Sequence, residues 1–231
     1  MIRDVAFGKE VYMARFIPFI LKTDDEQKIG VRITRMKKAD AAQTEKEPVW
    51  QTSWMSAYIQ KDAFEKYALK TMDGELVALA AYEILENDVM VHITYIESQP
   101  ESNPTIVGHS KRYQGIGRVL IAYGIKLSID HGCGGTVTFE AKVPELAEHY
   151  IRDYGACPLP SFGGAPRYEL SGEAAMNIFV RCFRWMQKSI SSVTRNERRF
   201  IARFIRFVAV SMLHGLRQRR RSEPLWRKRP V

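Results

Sequence analysis

The chain holds 231 residues, 45% hydrophobic and 26% charged, a size that suits one domain with extensions and that contains no apolar run near the ~18 residues a spanning helix needs. Its formal charge of +9 is unevenly placed: from Arg181 to Val231 fifteen Lys and Arg face two Glu, giving +13 there and leaving −4 for residues 1–180, so the basic character belongs to an appendage. Three cysteines, Cys133, Cys157 and Cys182, lack metal-ligand spacing and cannot all pair, which argues for a reduced, cytoplasmic setting and against a disulfide scaffold.

Residues 1–29 read as an ill-defined extension. Val11–Leu21 is apolar but contains Arg15 and Pro18, and no small-residue cleavage site follows it, so a buried or partner-covered segment is expected rather than a signal peptide. Val31–Met36 alternates and predicts a first strand, and polar Lys37–Glu47 predicts a loop. Trp50, Trp54, Ala57 and Tyr58 recur at helical spacing and predict a helix over about 50–61. Glu65–Thr71 and Glu75–Leu85 flank Met72-Asp73-Gly74, a hairpin signal. Asn87-Asp88 makes the next turn, before an alternating, β-branched strand at 89–96.

The most informative stretch is Arg112-Tyr113-Gln114-Gly115-Ile116-Gly117. Two glycines let a backbone turn approach a ligand closely. Ile116, Leu120, Tyr123 and Leu127 then follow at helical spacing, so the turn opens a helix, and the N–H groups at a helix start attract anions. Arg118 and Val119 stand where a P-loop needs Lys and Ser or Thr, and Leu120 stands where a dinucleotide fingerprint needs a third glycine. Gly132–Gly135 end the helix. Thr136–Glu140 predicts a strand, and Pro144 opens a helix closed by Gly155. Pro158, Pro160 and Gly163-Gly164 predict a flexible loop, Arg167–Leu170 a last short strand, and Glu173–Trp185 a helix.

Strand, polar loop, Arg/Gln-x-x-Gly-x-Gly turn, helix, strand and tyrosine-bearing helix over 89–155 resemble the GNAT N-acetyltransferase superfamily. More closely, Tyr95–Gly117 and Gly124–Gly155 resemble a poorly characterised bacterial branch of it. That branch carries Glu-Ser-x-Pro-x-Asn after the fourth strand and a later His-Tyr…Gly-Ala. Here these are Glu97-Ser98-Gln99-Pro100, with Asn103 one residue late, and His149-Tyr150…Gly155-Ala156.

The resemblance implies an α/β domain at about 30–172. Its mixed, mostly antiparallel sheet has splayed fourth and fifth strands and flanking helices, between the extension 1–29 and a helical, basic extension 173–231. It implies acetyl transfer from acetyl-coenzyme A to a primary amine by direct attack, with no metal. The pantetheine arm would lie along the backbone of Tyr95, Ile96 and Glu97. The pyrophosphate would sit on Gln114, Gly115, Ile116, Gly117 and Arg118, with Arg112 and Lys111 as neighbouring cations. Glu97, at the strand end, would be the base, and Tyr150 the proton donor to the leaving sulfur. Gly155 follows Tyr150 by five residues rather than the usual four, which makes Tyr154 its rival. Asn103 is read as an acceptor-site or loop-shaping residue, and His92, His131 and His149 as structural. The acceptor stays open among polyamine-like or amino-acid amines, a protein amine and an aminoacyl-tRNA. The alternative is an acyl-coenzyme A-binding module without efficient catalysis, acting as a membrane or nucleic-acid adaptor through its basic tail.

In the tail, Phe200, Ile201, Phe204, Ile205, Phe207, Val208 and Met212 fall on one half of a helix over 199–216. Arg199, Arg203, Arg206 and Arg217 fall on the other. Three readings stay open: docking on the domain or on a second subunit to form a homodimer, an anionic membrane surface, and nucleic acid held by charge alone.

Overall fold

A computed structural model describes residues 10–103, 105–106, 111–160, 164–189, 202–203 and 206–207, with backbone alone at 10–15 and 183–189. In chain order the elements are β1 (Glu10–Phe16), β2 (Phe19–Lys22), β3 (Lys28–Arg35), α1 (Lys38–Gln43), β4 (Phe64–Thr71), β5 (Leu76–Leu85), β6 (Met90–Ser98) and β7 (Tyr113–Gln114). There follow α2 (Ile116–Asp130), β8 (Val137–Glu140), α3 (Pro144–Tyr154), β9 (Cys157–Leu159), β10 (Arg167–Leu170), α4 (Gly172–Phe179) and β11 (Phe183–Ser189). Among the described residues nine strands form one sheet in the order β7-β2-β3-β4-β5-β6-β8-β10-β9, and β1 pairs with β11 in a separate antiparallel ribbon.

β5 reads Leu-Val-Ala-Leu-Ala-Ala-Tyr and is buried from Leu76 to Tyr82, the pattern of a central strand covered on both faces. Its alternation sorts the core into two layers. Ala78, Ala80 and Tyr82 join Leu120 and Ile125 of α2, Val137 of β8 and Phe179 of α4. Leu79 and Ala81 join Trp50, Trp54, Ile59 and Phe64 on the opposite side, as a period of two requires. Gly124 lets α2 pack closely on the first face: a Cβ there would lie 3.1 Å from Tyr82 and 3.2 Å from Ile93.

Two irregularities of β6 shape the site. A register shift puts Tyr95 opposite Ala81 and Ile93 opposite Tyr82, leaving Thr94 as an extra, bulged residue. β6 then pairs with β8, in parallel, only from Val91 to Ile93 against Val137 to Phe139. Beyond Ile93 the two strands part, as the expected splay requires.

The hairpin at Asp73-Gly74, the strand after Asn87-Asp88, the helix after the glycine turn and the tyrosine-bearing helix all stand where the sequence puts them. Several expectations are corrected. Within the expected extension 1–29, of which residues 1–9 lie outside the described residues, the chain from 10 onward is ordered into strands: β2 lies inside the sheet, Ile20 is fully buried, and β2 pairs with both β3 and β7. The helix expected over 50–61 is absent, and turns occupy that span. Glu97 captures the backbone N–H groups of Gln51 and Thr52, and Ser56 Oγ accepts that of Ile59, so side chains rather than helical carbonyls hold these donors. Conversely, Lys38–Gln43 in the expected loop forms α1, a run of good helix formers too short to show a period. The loop after Gly155 contains β9, paired with β10. The helix from 173 stops at Phe179, and Phe183–Trp185 belong instead to β11, because pairing with β1 overrides local propensity.

The core runs past both ends of the 30–172 span: Ala175, Ile178, Phe179, Cys182 and Phe207 are buried with it. Residues 202–203 and 206–207 are helical, within the expected tail helix, whose remainder lies outside the described residues. Arg203 and Arg206 are exposed, whereas the Phe207 ring lies 5.8 Å from that of Phe179. That contact favours docking on the domain itself. No helix among the described residues is long and apolar enough to cross a membrane.

Candidate active site

Where β6 and β8 part, a cavity of about 250 Å³ opens between the two faces of the sheet. One end is the glycine turn. Gly115 caps α2 with φ 82°, a left-handed geometry that favours glycine, and the chain turns straight into the helix. Gly115, Ile116, Gly117 and Arg118 all line the cavity, with Lys111 beside them. The first turn of a helix leaves its N–H groups without intrahelical partners, so this end is a concave set of donors flanked by two cations.

Gly117 is the informative glycine. It has no positive φ, and a Cβ built on it would meet no atom within 4 Å. Glycine inside a helix costs about 1 kcal/mol relative to alanine. Nothing in the fold requires that cost, so the missing side chain leaves room for a ligand.

The far wall belongs to α3. Leu146, His149, Tyr150 and Tyr154 face the cavity. Tyr150 packs edge-on against Phe139 of β8, with ring centroids 4.7 Å apart. Burial, and then the neighbouring Tyr154, push its phenol up to about 12. Burial also raises Tyr154, although Arg118 pulls the other way. His149 Nδ1 lies 2.5 Å from Asp153 Oδ2. Hydrogen bonds from Arg152 and then His149 hold the exposed Asp153 carboxyl down at about 2.

The other end is built by the segment that was expected to be helical. Glu97 of β6 is 5% exposed. Its Oε1 accepts from the backbone N–H groups of Gln51 (2.7 Å) and Thr52 (3.3 Å), and its Oε2 from the Trp54 indole N–H (2.9 Å). Three donors thus fix the carboxylate and clamp residues 51–54 against the sheet, leaving one of its roughly four acceptor positions uncommitted. Tyr95, on the same side of β6, packs edge-on against Trp54 and hydrogen-bonds through its hydroxyl to Thr52 Oγ1 and Lys142 Nζ. Asn103 shapes the adjoining loop: its Oδ1 accepts from Thr105 N–H and Oγ1, and its Nδ2 donates to Gln51 Oε1.

Of the residues singled out from sequence, Ile96, Glu97, Gly115, Ile116, Gly117, Arg118 and Tyr150 line this one cavity, together with Lys111, Asn103 and Tyr154. Tyr95, Gln114 and Arg112 do not: the Tyr95 side chain lies against Trp54 instead. Gln114 is exposed and pairs with Leu21 on the far side of the turn. The Arg112 guanidinium is committed to Glu75, at 2.8 and 3.3 Å, and covers the Tyr113 ring. His92 is half-buried and hydrogen-bonds Thr138 Oγ1, and desolvation and then Arg167 lower its pKa. His131 is 3.7 Å from Glu86, and His109 lies outside the described residues. Sequence reading missed Gln51, Thr52, Trp54 and Lys142, and it gave His149 no place at the site. Among the described residues no cluster of His, Cys, Asp or Glu converges as a metal site would.

The chain matches no protein-family model and no curated protein. Similar solved structures include a protein described as an acyl-CoA N-acyltransferase from Klebsiella pneumoniae, at 16% identity and TM-score 0.41, covering 60% of this chain and 95% of that one. Another is the spermidine/spermine N-acetyltransferase SpeG from Vibrio cholerae, at 13% identity and TM-score 0.42, covering 61% and 91%. The chain's own antiparallel run β3 to β6, the parted β6 and β8 and the glycine turn opening α2 agree with the sheet, splay and turn that the resemblance to the GNAT N-acetyltransferase superfamily implies.

Proposed function

We propose that the protein is an N-acetyltransferase that moves acetyl from acetyl-coenzyme A to a primary amine by direct attack. The observation that carries this reading is Gly117, the helical glycine whose side-chain space opens on the cavity without a folding reason. When bound, acetyl-coenzyme A supplies a thioester, an activated acyl group. The Gly115–Arg118 turn and Lys111 would hold its phosphates with backbone N–H groups and positive charge. Arg112, tied to Glu75, would act by fixing the turn. The open backbone of β6 at Tyr95 to Glu97, freed from β8, offers the edge on which the pantetheine amides would pair.

The nitrogen lone pair of the acceptor forms the new N–C bond, and the C–S bond breaks with its electrons on sulfur. Glu97 lies at the end of the parted strand and takes the amine proton, directly or through water, on its uncommitted acceptor position. Tyr150, protonated and facing the cavity from α3, returns one to the sulfur. Protons and charge therefore balance for a neutral amine.

The test is calorimetric. Gly117→Val places a branched side chain where the phosphates would lie, on a Cβ that meets no protein atom within 4 Å outside its own helix backbone. The variant should fold, by circular dichroism and thermal melting, and lose at least roughly tenfold in acetyl-coenzyme A affinity. Undiminished binding would remove the cradle and with it the reading.

A further inference from the structure

Resting on the acetyltransferase reading, we infer that the acceptor is an amine that also carries an anionic group, a carboxylate or a phosphate, and that Lys142 receives that group. The cavity is lined by Lys111, Arg118 and Lys142 but by a single carboxylate, Glu97, which three protein donors already engage. Lys111 and Arg118 stand at the glycine-turn end, where the phosphates of the donor consume their charge. Lys142 stands elsewhere. It follows β8 and hangs over the Tyr95 ring, 3.7 Å from its centroid, with its Nζ on the Tyr95 hydroxyl. It makes no ion pair with an Asp or Glu among the described residues, and it is exposed.

Lys142 and Glu97 are wired into one polar network. Thr52 donates its backbone N–H to Glu97 Oε1 and shares a hydrogen bond through its hydroxyl with Tyr95, whose hydroxyl also meets Lys142. Trp54 braces both ends, donating to Glu97 and packing on Tyr95. A fixed negative group and a fixed positive group therefore stand on one rigid frame beside the parted strands. The acceptor's amino group fits the first and an anion the second, whereas a polyamine would bring further positive charges to a cavity with one carboxylate. Gln51, Asn103 and Thr105 add uncharged polar groups to a lining otherwise largely apolar, with Ile96, Ile121 and Leu146. Like charges placed together cost affinity and exclude wrong partners.

The experiment measures release of free coenzyme A by the full chain, with acetyl-coenzyme A binding followed in parallel. One arm compares the L-α-amino acids with their amides; a second compares glucosamine 6-phosphate with glucosamine; a third uses spermidine. The expected result is turnover of an anionic acceptor in the first or second arm, with kcat/KM falling roughly ten- to a hundredfold when its anion is neutralised. The arm that responds identifies carboxylate or phosphate. Lys142→Met should remove that preference by slowing the anionic acceptor and not the neutral one, with acetyl-coenzyme A affinity unchanged. Preference for spermidine or a neutral amine, an acid-to-amide ratio unmoved by Lys142→Met, or silence in every arm while acetyl-coenzyme A binds would each overturn the inference. Failure of acetyl-coenzyme A to bind would instead remove the acetyltransferase reading beneath it.

Discussion

A phenol pushed up to about 12 by burial and by Tyr154 keeps its proton at neutral pH, so Tyr150 presents a hydroxyl, not a phenolate, to the cavity. Tyr150→Phe preserves the ring that packs on Phe139 and removes only the hydroxyl. It should lower kcat by about 10²-fold or more while leaving acetyl-coenzyme A affinity within a few-fold. Tyr154→Phe should do much less, and the reverse pattern would make Tyr154 the donor. The raised value also has a stability consequence. The folded chain retains a proton that the unfolded chain loses near pH 10, so this contribution is complete below pH 10 and is lost as pH rises through about 12. The wild type should therefore lose more stability than Tyr150→Phe over that window in urea titrations. Tyr150, Gly115 and Gly117 were legible in the sequence because each is fixed locally, by helical spacing or by a turn. Lys142 and Thr52 were not, since what places them is the parting of β6 from β8 and a carboxylate some 45 residues away in the chain.

At the scale of elements, the glycine turn, the Asp-Gly hairpin and three of the four helices could be read from periodicity and turn residues. The segment 44–63 could not. Its tryptophans recur at helical spacing, yet Trp54 is fully buried because Glu97 captures its indole and the backbone before it. The tail contact gives a test at this scale. Gly135 has φ 83°, and a Cβ on it would lie 2.3 Å from the Phe207 ring. Gly135→Ala must displace that ring and adopt a left-handed backbone, for an expected loss of about 2 kcal/mol or more. Phe207→Ala empties a buried site, for about 3 kcal/mol. Combined, they should cost less than their sum by about 1 kcal/mol, because the alanine at 135 then meets space. Strict additivity in chemical denaturation would mean that Phe207 does not dock there.

Across the whole molecule, the phosphate-facing turn is stitched to the opposite end of the chain. β7 pairs with β2 at Gln114–Leu21 and Tyr113–Lys22, the Thr23 N–H donates to the Arg112 carbonyl at 3.0 Å, and Glu75 grips Arg112 and Tyr113. Within the apolar run Pro18 and Ile20 are buried and Ile17 is exposed, and the pairing of β2 with β7 could not be read, because Tyr113 and Gln114 lie some 90 residues further on. Ligand binding to one member of such a frame is thermodynamically linked to the opening of the others. Saturating acetyl-coenzyme A should slow solvent exchange of the Thr23 amide along with those of the turn, although Thr23 does not line the site cavity. The Gln60 amide, bonded to Ser56 O at 3.0 Å in the other layer, should change far less. Equal slowing at both would mean global stabilisation without this linkage, whereas selective slowing at Thr23 would make the first strands of the chain a thermodynamic reporter of what the glycine turn holds.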